Sequence, residues 1–164
     1  MKKKALLSVL LITLFVYGCG YKIALTGRKA SFAIYPASIE NTSKEVNVDQ
    51  LFTNEVKSYF ASINALGRKG TTDNIGYITL TDVSSASAVK LTSGQTATFD
   101  LSVVVNVVVK DGNGADKYSR SLASTVTYSQ TSSLSSSLAN RNDAIRQAVR
   151  TALEDFRYEF ENLR

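Results

Sequence analysis

The feature that most constrains this chain is the strict alternation that begins at Ala97. Ala97, Phe99, Leu101, Val103, Val105, Val107 and Val109 occupy one face, and Thr98, Asp100 and Ser102 begin the other. Successive side chains of a strand point to opposite sides, so the run predicts a long strand with one buried face, whereas a helix would scatter the valines around its axis. Asp111, Gly112, Asn113 and Gly114 then reverse the chain, because Gly and Asn accept the positive φ of a tight hairpin. With Asp111 facing Gly114, the expected register sets Val107 against Tyr118, Val103 against Leu122, Phe99 against Val126 and Ala97 against Tyr128, apolar against apolar. Arg120 opposite Val105 and Ser124 opposite Leu101 break the pattern. Arg120 is expected to lay its stem on the apolar face and carry its head outward.

The ends bound the cell biology. Met1 to Lys4 is basic, Ala5 to Tyr17 is apolar, and Gly18 and Cys19 follow. The run is too short to span a bilayer comfortably and suits a signal-peptide core. Val16, Tyr17, Gly18 and Cys19 resemble a bacterial lipobox, in which the Cys becomes the lipid-bearing N-terminus, although Tyr17 stands where a small residue is usual. An ordinary signal peptide or an uncleaved anchor would give a similar profile. The position of the chain's one Cys favours lipidation at Cys19. By resemblance to sorting rules, Gly20 after the Cys favours the outer membrane. The expected division is residues 1–18 as lipoprotein signal peptide, 19–30 as lipidated tether and 31–164 as a single domain. Loss of Lys2, Lys3 and Lys4 lowers the formal charge from +5 to +2, which argues against a nucleic-acid partner.

Phe32 to Ile39 is expected to form a first strand, with Pro36 demanding an edge position or a bulge. Asn41 to Asn47 is polar loop. Asn47 is placed to cap a helix, with Gln50 in capping-box position. Val48, Phe52, Val56, Tyr59, Phe60 and Ile63 form its apolar stripe, and Gly67 and Gly70 are expected to end it. A second strand is expected over Asn74 to Ser84, with Ile78 and Leu80 in the core and an irregular extension to Val89. The Ser-rich run from Tyr128 to Leu138 is expected to be a loop. A last helix is expected from Asn142, its cap, with Ile145, Val149, Ala152, Leu153, Phe156, Phe160 and Leu163 buried. The order β-α-β-β-β-α predicts an α+β two-layer sandwich, with two helices packed on one face of a four-stranded mixed β-sheet. The opposite face, with Thr98, Asp100, Ser102, Asn106 and Lys110 and with Val104 and Val108 among them, is left to water or a polar partner.

The sequence points away from catalysis. There is no His, hence no imidazole base and no usual zinc set. Glu154 with Asp155, and Glu159 with Glu161, have the spacing of a solvated helix face beside basic neighbours. No phosphate-binding glycine loop, metal site or cofactor site is expected.

Gly18-Cys19-Gly20-Tyr21, Ile34-Tyr35-Pro36, Asn41-Thr42, Ser93-Gly94-Gln95-Thr96-Ala97-Thr98-Phe99, the Asp111 to Gly114 turn and Asn142-Asp143-Ala144-Ile145 together resemble the LPS-assembly outer-membrane lipoprotein family, LptE. The resemblance implies a non-enzymatic, lipid-anchored protein on the periplasmic side of the outer membrane. It would bind lipopolysaccharide and act as assembly partner and plug of the LPS-translocating β-barrel. The alternative is a periplasm-facing lipoprotein that activates a peptidoglycan synthase; a surface hydrolase is disfavoured by the missing His. The resemblance also implies lipopolysaccharide contacts in two loops at one sheet end. Thr92 and Asn140 stand where relatives carry basic residues, and Lys90 and Arg141 are the nearest cations. The expected ligand-contacting set is therefore Lys90, Thr92 and Arg141, with Lys110 and Lys117 at the opposite end.

Overall fold

A computed structural model describes residues 29–89 and 97–163. The expected architecture is present: β1 (Tyr35–Asn41), α1 (Asp49–Ser62), β2 (Ile75–Val89), β3 (Ala97–Lys110), β4 (Asp116–Gln130) and α2 (Leu134–Asn162). The sheet order is β1-β2-β3-β4, with β1 parallel to β2 and the other pairs antiparallel. The parallel pair follows from the helical crossover between its strands. Pro36 falls where the β1 register shifts, on an edge strand, so its missing N–H leaves no gap in the ladder.

Both helices cover the face that carries Leu101, Val103, Val105, Val107 and Val109, all fully buried. Phe52, Val56 and Phe60 of α1 and Ile145, Val149, Leu153 and Phe156 of α2 close the core from above. An aromatic cluster seals one end. Phe156 meets the rings of Phe32, Phe60 and Tyr118 edge-on, with centroids 6.0, 6.2 and 5.1 Å away. Leu163, expected in the buried stripe, is instead 61% exposed just beyond the last helical residue.

The β3–β4 register differs from expectation by two residues. Val107 faces Arg120, Val105 faces Leu122, Val103 faces Ser124, Phe99 faces Tyr128 and Ala97 faces Gln130. The cause is the turn. The Asp111 carboxylate accepts the N–H groups of Asn113 and Ala115 at 2.8 and 2.9 Å, and the Ala115 carbonyl accepts Asp111 N–H at 2.9 Å. These bonds hold a wider loop, with Gly114 at φ +87, in place of a two-residue turn. They also hold the Asp111 carboxyl below its ordinary pKa, the Ala115 amide being the largest cause. A slip of two residues preserves the faces, so the buried set stands although the partners change.

Three further expectations are corrected. Asn47 adopts φ +63 and caps nothing; Val48 is the cap residue, without a side-chain bond, and Gln50 Nε2 donates to Asn54. That helix ends at Ser62, where Asn64 turns left-handed at φ +55, ahead of either glycine. The Ser-rich run is not a loop: β4 continues to Gln130 and α2 begins at Leu134, so Asn142 lies inside the helix. Ser133 accepts Ser136 N–H as the cap, while Ser137 Oγ donates to the Thr131 carbonyl and accepts Thr131 N–H, both at 3.0 Å. Short hydroxyl side chains here form the strand-to-helix junction by bonding to nearby backbone.

Candidate lipid-contacting end and its surroundings

Of the expected contact set, Arg141 falls within the described residues; Lys90, Thr92 and the lipidation candidate Cys19 lie outside them. Arg141 stands two turns into α2 and is not an isolated cation. Its Nη1 and Nη2 donate to the two carboxylate oxygens of Glu45 at 2.9 and 2.8 Å. The two side chains are 22% and 26% exposed, so this is a bidentate, partly desolvated pair.

Glu45 is held there by its loop. Asn41, at the end of β1, accepts the Ser43 N–H and Oγ–H on its Oδ1, at 3.0 and 2.6 Å. Its Nδ2 donates to the Glu45 carbonyl at 3.1 Å. Thr42 and Ser43 both donate backbone N–H to the Leu80 carbonyl, which ties the loop to β2. One asparagine thus folds the turn that presents Glu45 to α2. Sequence reasoning missed Glu45, since no local spacing links it to a helix 96 residues away.

Asn140, beside Arg141, donates from Nδ2 to the Ser129 carbonyl at 2.8 Å. Around them are exposed apolar groups: Val46 next to Glu45, and Leu134 and Leu138 one turn apart on α2. Leu134 is 75% exposed, on a helix whose next turns bury their apolar stripe. Phe99 stacks on Tyr128 with centroids 5.6 Å apart, half-buried at the same end. A cleft of about 310 Å³ lies between Val126–Ser129 of β4 and Asn140, Asp143, Ala144 and Gln147 of α2. The arrangement offers one guanidinium already holding a carboxylate, beside exposed aliphatic side chains. An acidic or phosphorylated amphiphile suits it, but must compete with Glu45.

The opposite end is built differently. Lys110 pairs with Asp116 at 3.4 Å, and Lys117 donates to Asn74 Oδ1 at 2.9 Å. Tyr118 donates its hydroxyl to Glu159 Oε2 at 2.8 Å; burial first, and this carboxylate second, push the phenol's pKa well up. A cleft of about 430 Å³ opens between Lys117–Arg120 and Tyr158, Glu159, Asn162 and Leu163. Arg120 is exposed and lines this cleft. Among the described residues there is no cluster of potential metal ligands, and no helix long and apolar enough to cross a membrane.

A family model described as lipopolysaccharide-assembly, LptE, matches residues 33–158. A lipoprotein from Caulobacter crescentus CB15 has a similar fold, with TM-score 0.51 and 19% identity over 76% of this chain and 88% of that one. A minor lipoprotein from Acinetobacter baumannii aligns with TM-score 0.46 and 12% identity, over 76% of this chain and 90% of that one. No curated protein sequence matches the chain.

Proposed function

This chain belongs to the LptE lipopolysaccharide-assembly family, and from that premise we propose that it is an outer-membrane lipoprotein that binds lipopolysaccharide and serves as assembly partner and plug of the LPS-translocating β-barrel. The family is one of lipopolysaccharide assembly, not of enzymes. Cys19, freed by removal of residues 1–18, would carry the lipid on the periplasmic side, and residues 19–30 would tether the domain.

The observation that carries the reading is the family match over nearly the whole domain. The open sheet face supports the plug role. Ser84, Ser121, Thr125 and Thr127 are exposed across it, and Ser102 and Asn106 are half-buried between them, as are the two valines Val104 and Val108. A barrel lumen is polar and wet, so a plug needs hydroxyls and amides there rather than a greasy patch. Arg141, with Lys90 and Thr92 from the sequence between β2 and β3, forms the lipopolysaccharide contact in this reading. A lipid phosphate would replace Glu45 on the Arg141 fork, because both anions suit the same planar donor set.

The test is binding of lipopolysaccharide to the purified chain. Arg141→Glu with Lys90→Glu should lose binding, while Lys110→Glu with Lys117→Glu, equal in charge change, should keep it. Glu45→Gln should tighten binding by releasing the fork. Equal loss in both pairs, or a Glu45→Gln chain that binds no better, would sink the site. Copurification from detergent tests the partner: a heat-stable complex with an outer-membrane barrel is expected, and a peptidoglycan synthase in its place would refute the plug role.

A further inference from the structure

We propose that the seam between β4 and α2 is a docking groove for an extended polypeptide segment, which adds to β4 as a fifth strand and sets a carboxylate against Arg120. Among the described residues β4 ends the sheet, so one side of its backbone has no partner strand there. The Ser129 carbonyl is turned outward, since it accepts Asn140 of α2, which lies beyond the ladder. Every second residue before it, Thr127, Thr125, Ala123, Ser121 and Ser119, must then turn its N–H and C=O the same way. All five are exposed. The stretch from Ser121 to Gln130 contains no charge and no Pro, and its register with β3 is unbroken. Natural edge strands are blunted by charges, Pro or bulges, and this one is not.

The helix supplies the second wall. The two clefts, of about 430 and 310 Å³, both lie between β4 and the same helix, one at each end of the strand. Arg120 and Val126 are six residues apart, about 20 Å along a strand at roughly 3.3 Å per residue. An added strand of about eight residues therefore spans both clefts. An edge strand beside a helix is a peptide-binding geometry in which main-chain bonds hold the segment and pockets select alternate side chains. The near cleft has Tyr158 and Leu163, 73% and 61% exposed, as its apolar rim.

Charge selects the occupant. Arg141, Arg146, Arg150 and Arg157 of α2 each hold a carboxylate. Arg120 holds none among the described residues, and the nearby Glu159 is engaged by Tyr118. Asp155 and Glu159 stand on the helix wall, so an incoming acid is favoured on the strand side, at Arg120. A second copy of the chain, paired β4 to β4 through the uncharged stretch, would bring Arg120 no acid.

The experiment is panning of phage-displayed random decapeptides on the full chain, with counter-selection on Ala123→Pro. That change removes one outward N–H at an edge position that tolerates Pro, and its melting temperature checks the fold. Enriched peptides should carry alternating β-branched residues and one Asp or Glu at a constant position. They should bind the unaltered chain at least tenfold tighter than Ala123→Pro. N-methylating the amides of one alternate set in a selected peptide should abolish binding, and methylating the other set should not. Arg120→Glu should lose the acidic peptide and regain it when the acid becomes Lys. No enrichment, indifference to N-methylation, or a dimer in sedimentation that Ala123→Pro dissolves would each overturn the proposal. Lipopolysaccharide binding, measured in parallel, bears on the proposed function alone.

Discussion

The half of the sheet beneath both helices and the half beneath α2 alone are made from the same three long strands, yet they are held differently. β1 follows β2 only as far as Leu80, and there Ile78, Leu80, Val105, Val107 and Val109 are fully buried. Beyond that point Leu101 and Val103 are still fully buried, but Val83, Phe99, Val126 and Tyr128 around them are half-buried, and β2 offers Ser84, Ser85, Ala86 and Ser87. The first half holds more of the fully buried core, and in the second the burial thins towards Phe99 and Tyr128, where fewer contacts depend on each side chain.

The comparison breaks most sharply on a buried charge. Val107→Asp places an unpaired carboxylate between the sheet and the helix layer and should cost about 3–5 kcal/mol or prevent folding, whereas Ser102→Asp, on the open face, should leave the urea midpoint nearly unchanged. Reversed ranking would mean that the faces are misassigned. Next come the aromatics: Phe156→Ala, at the centre of the ring cluster, should lose roughly 3–5 kcal/mol, and Phe99→Ala, in the half-buried stack, about 1 kcal/mol. Equal losses would erase the distinction between the halves.

A smaller effect is set by pH. Burial first, then Glu154, pushes Tyr59 up to about 12, and Tyr118 moves the same way. An unfolded phenol titrates near 10. The neutral, folded phenol therefore contributes stability that is fully present below about pH 10 and is lost as pH rises towards 12. Urea midpoints should fall as pH rises from about 10 towards 12, less so in Tyr59→Phe; a flat profile would contradict the burial of both rings. The smallest effect is at the far end: Glu45→Gln should cost about 1 kcal/mol or less, visible chiefly as faster amide exchange in the loop that follows β1.

How much of this was legible in the sequence depends on the range of the interaction. The buried face of β3 follows from side-chain alternation, and α1 and α2 follow from their apolar stripes, so the two-layer α+β architecture was accessible. The β3–β4 partners were not, because the Asp111 side chain widened the turn through bonds that residue type alone does not announce. The serines after Tyr128 misled because their hydroxyls bond locally and suit a loop as well as a helix cap. Position decided it: Ser133 caps and Ser137 is buried. At the candidate site Arg141 was legible and its pairing with Glu45 was not, since it needs the Asn41 turn and the β1 to α2 distance together.

The parallel pairing of β1 with β2 also governs the order in which the molecule can assemble. β2, β3 and β4 are joined by direct reversals, while β1 reaches its one neighbour only after the whole of α1 has intervened. Asn74, just before β2, donates to the Ala33 carbonyl across 41 residues. A chain that emerges N-terminus first must therefore hold Ile34 and the apolar stripe of α1 uncovered until β2 arrives, and Phe32 until α2 brings Phe156 and Phe160. Closing that long loop precedes the contacts that reward it. The edge strand made first is the one that docks late, and the interval before it does so is when a holding chaperone has most to bind.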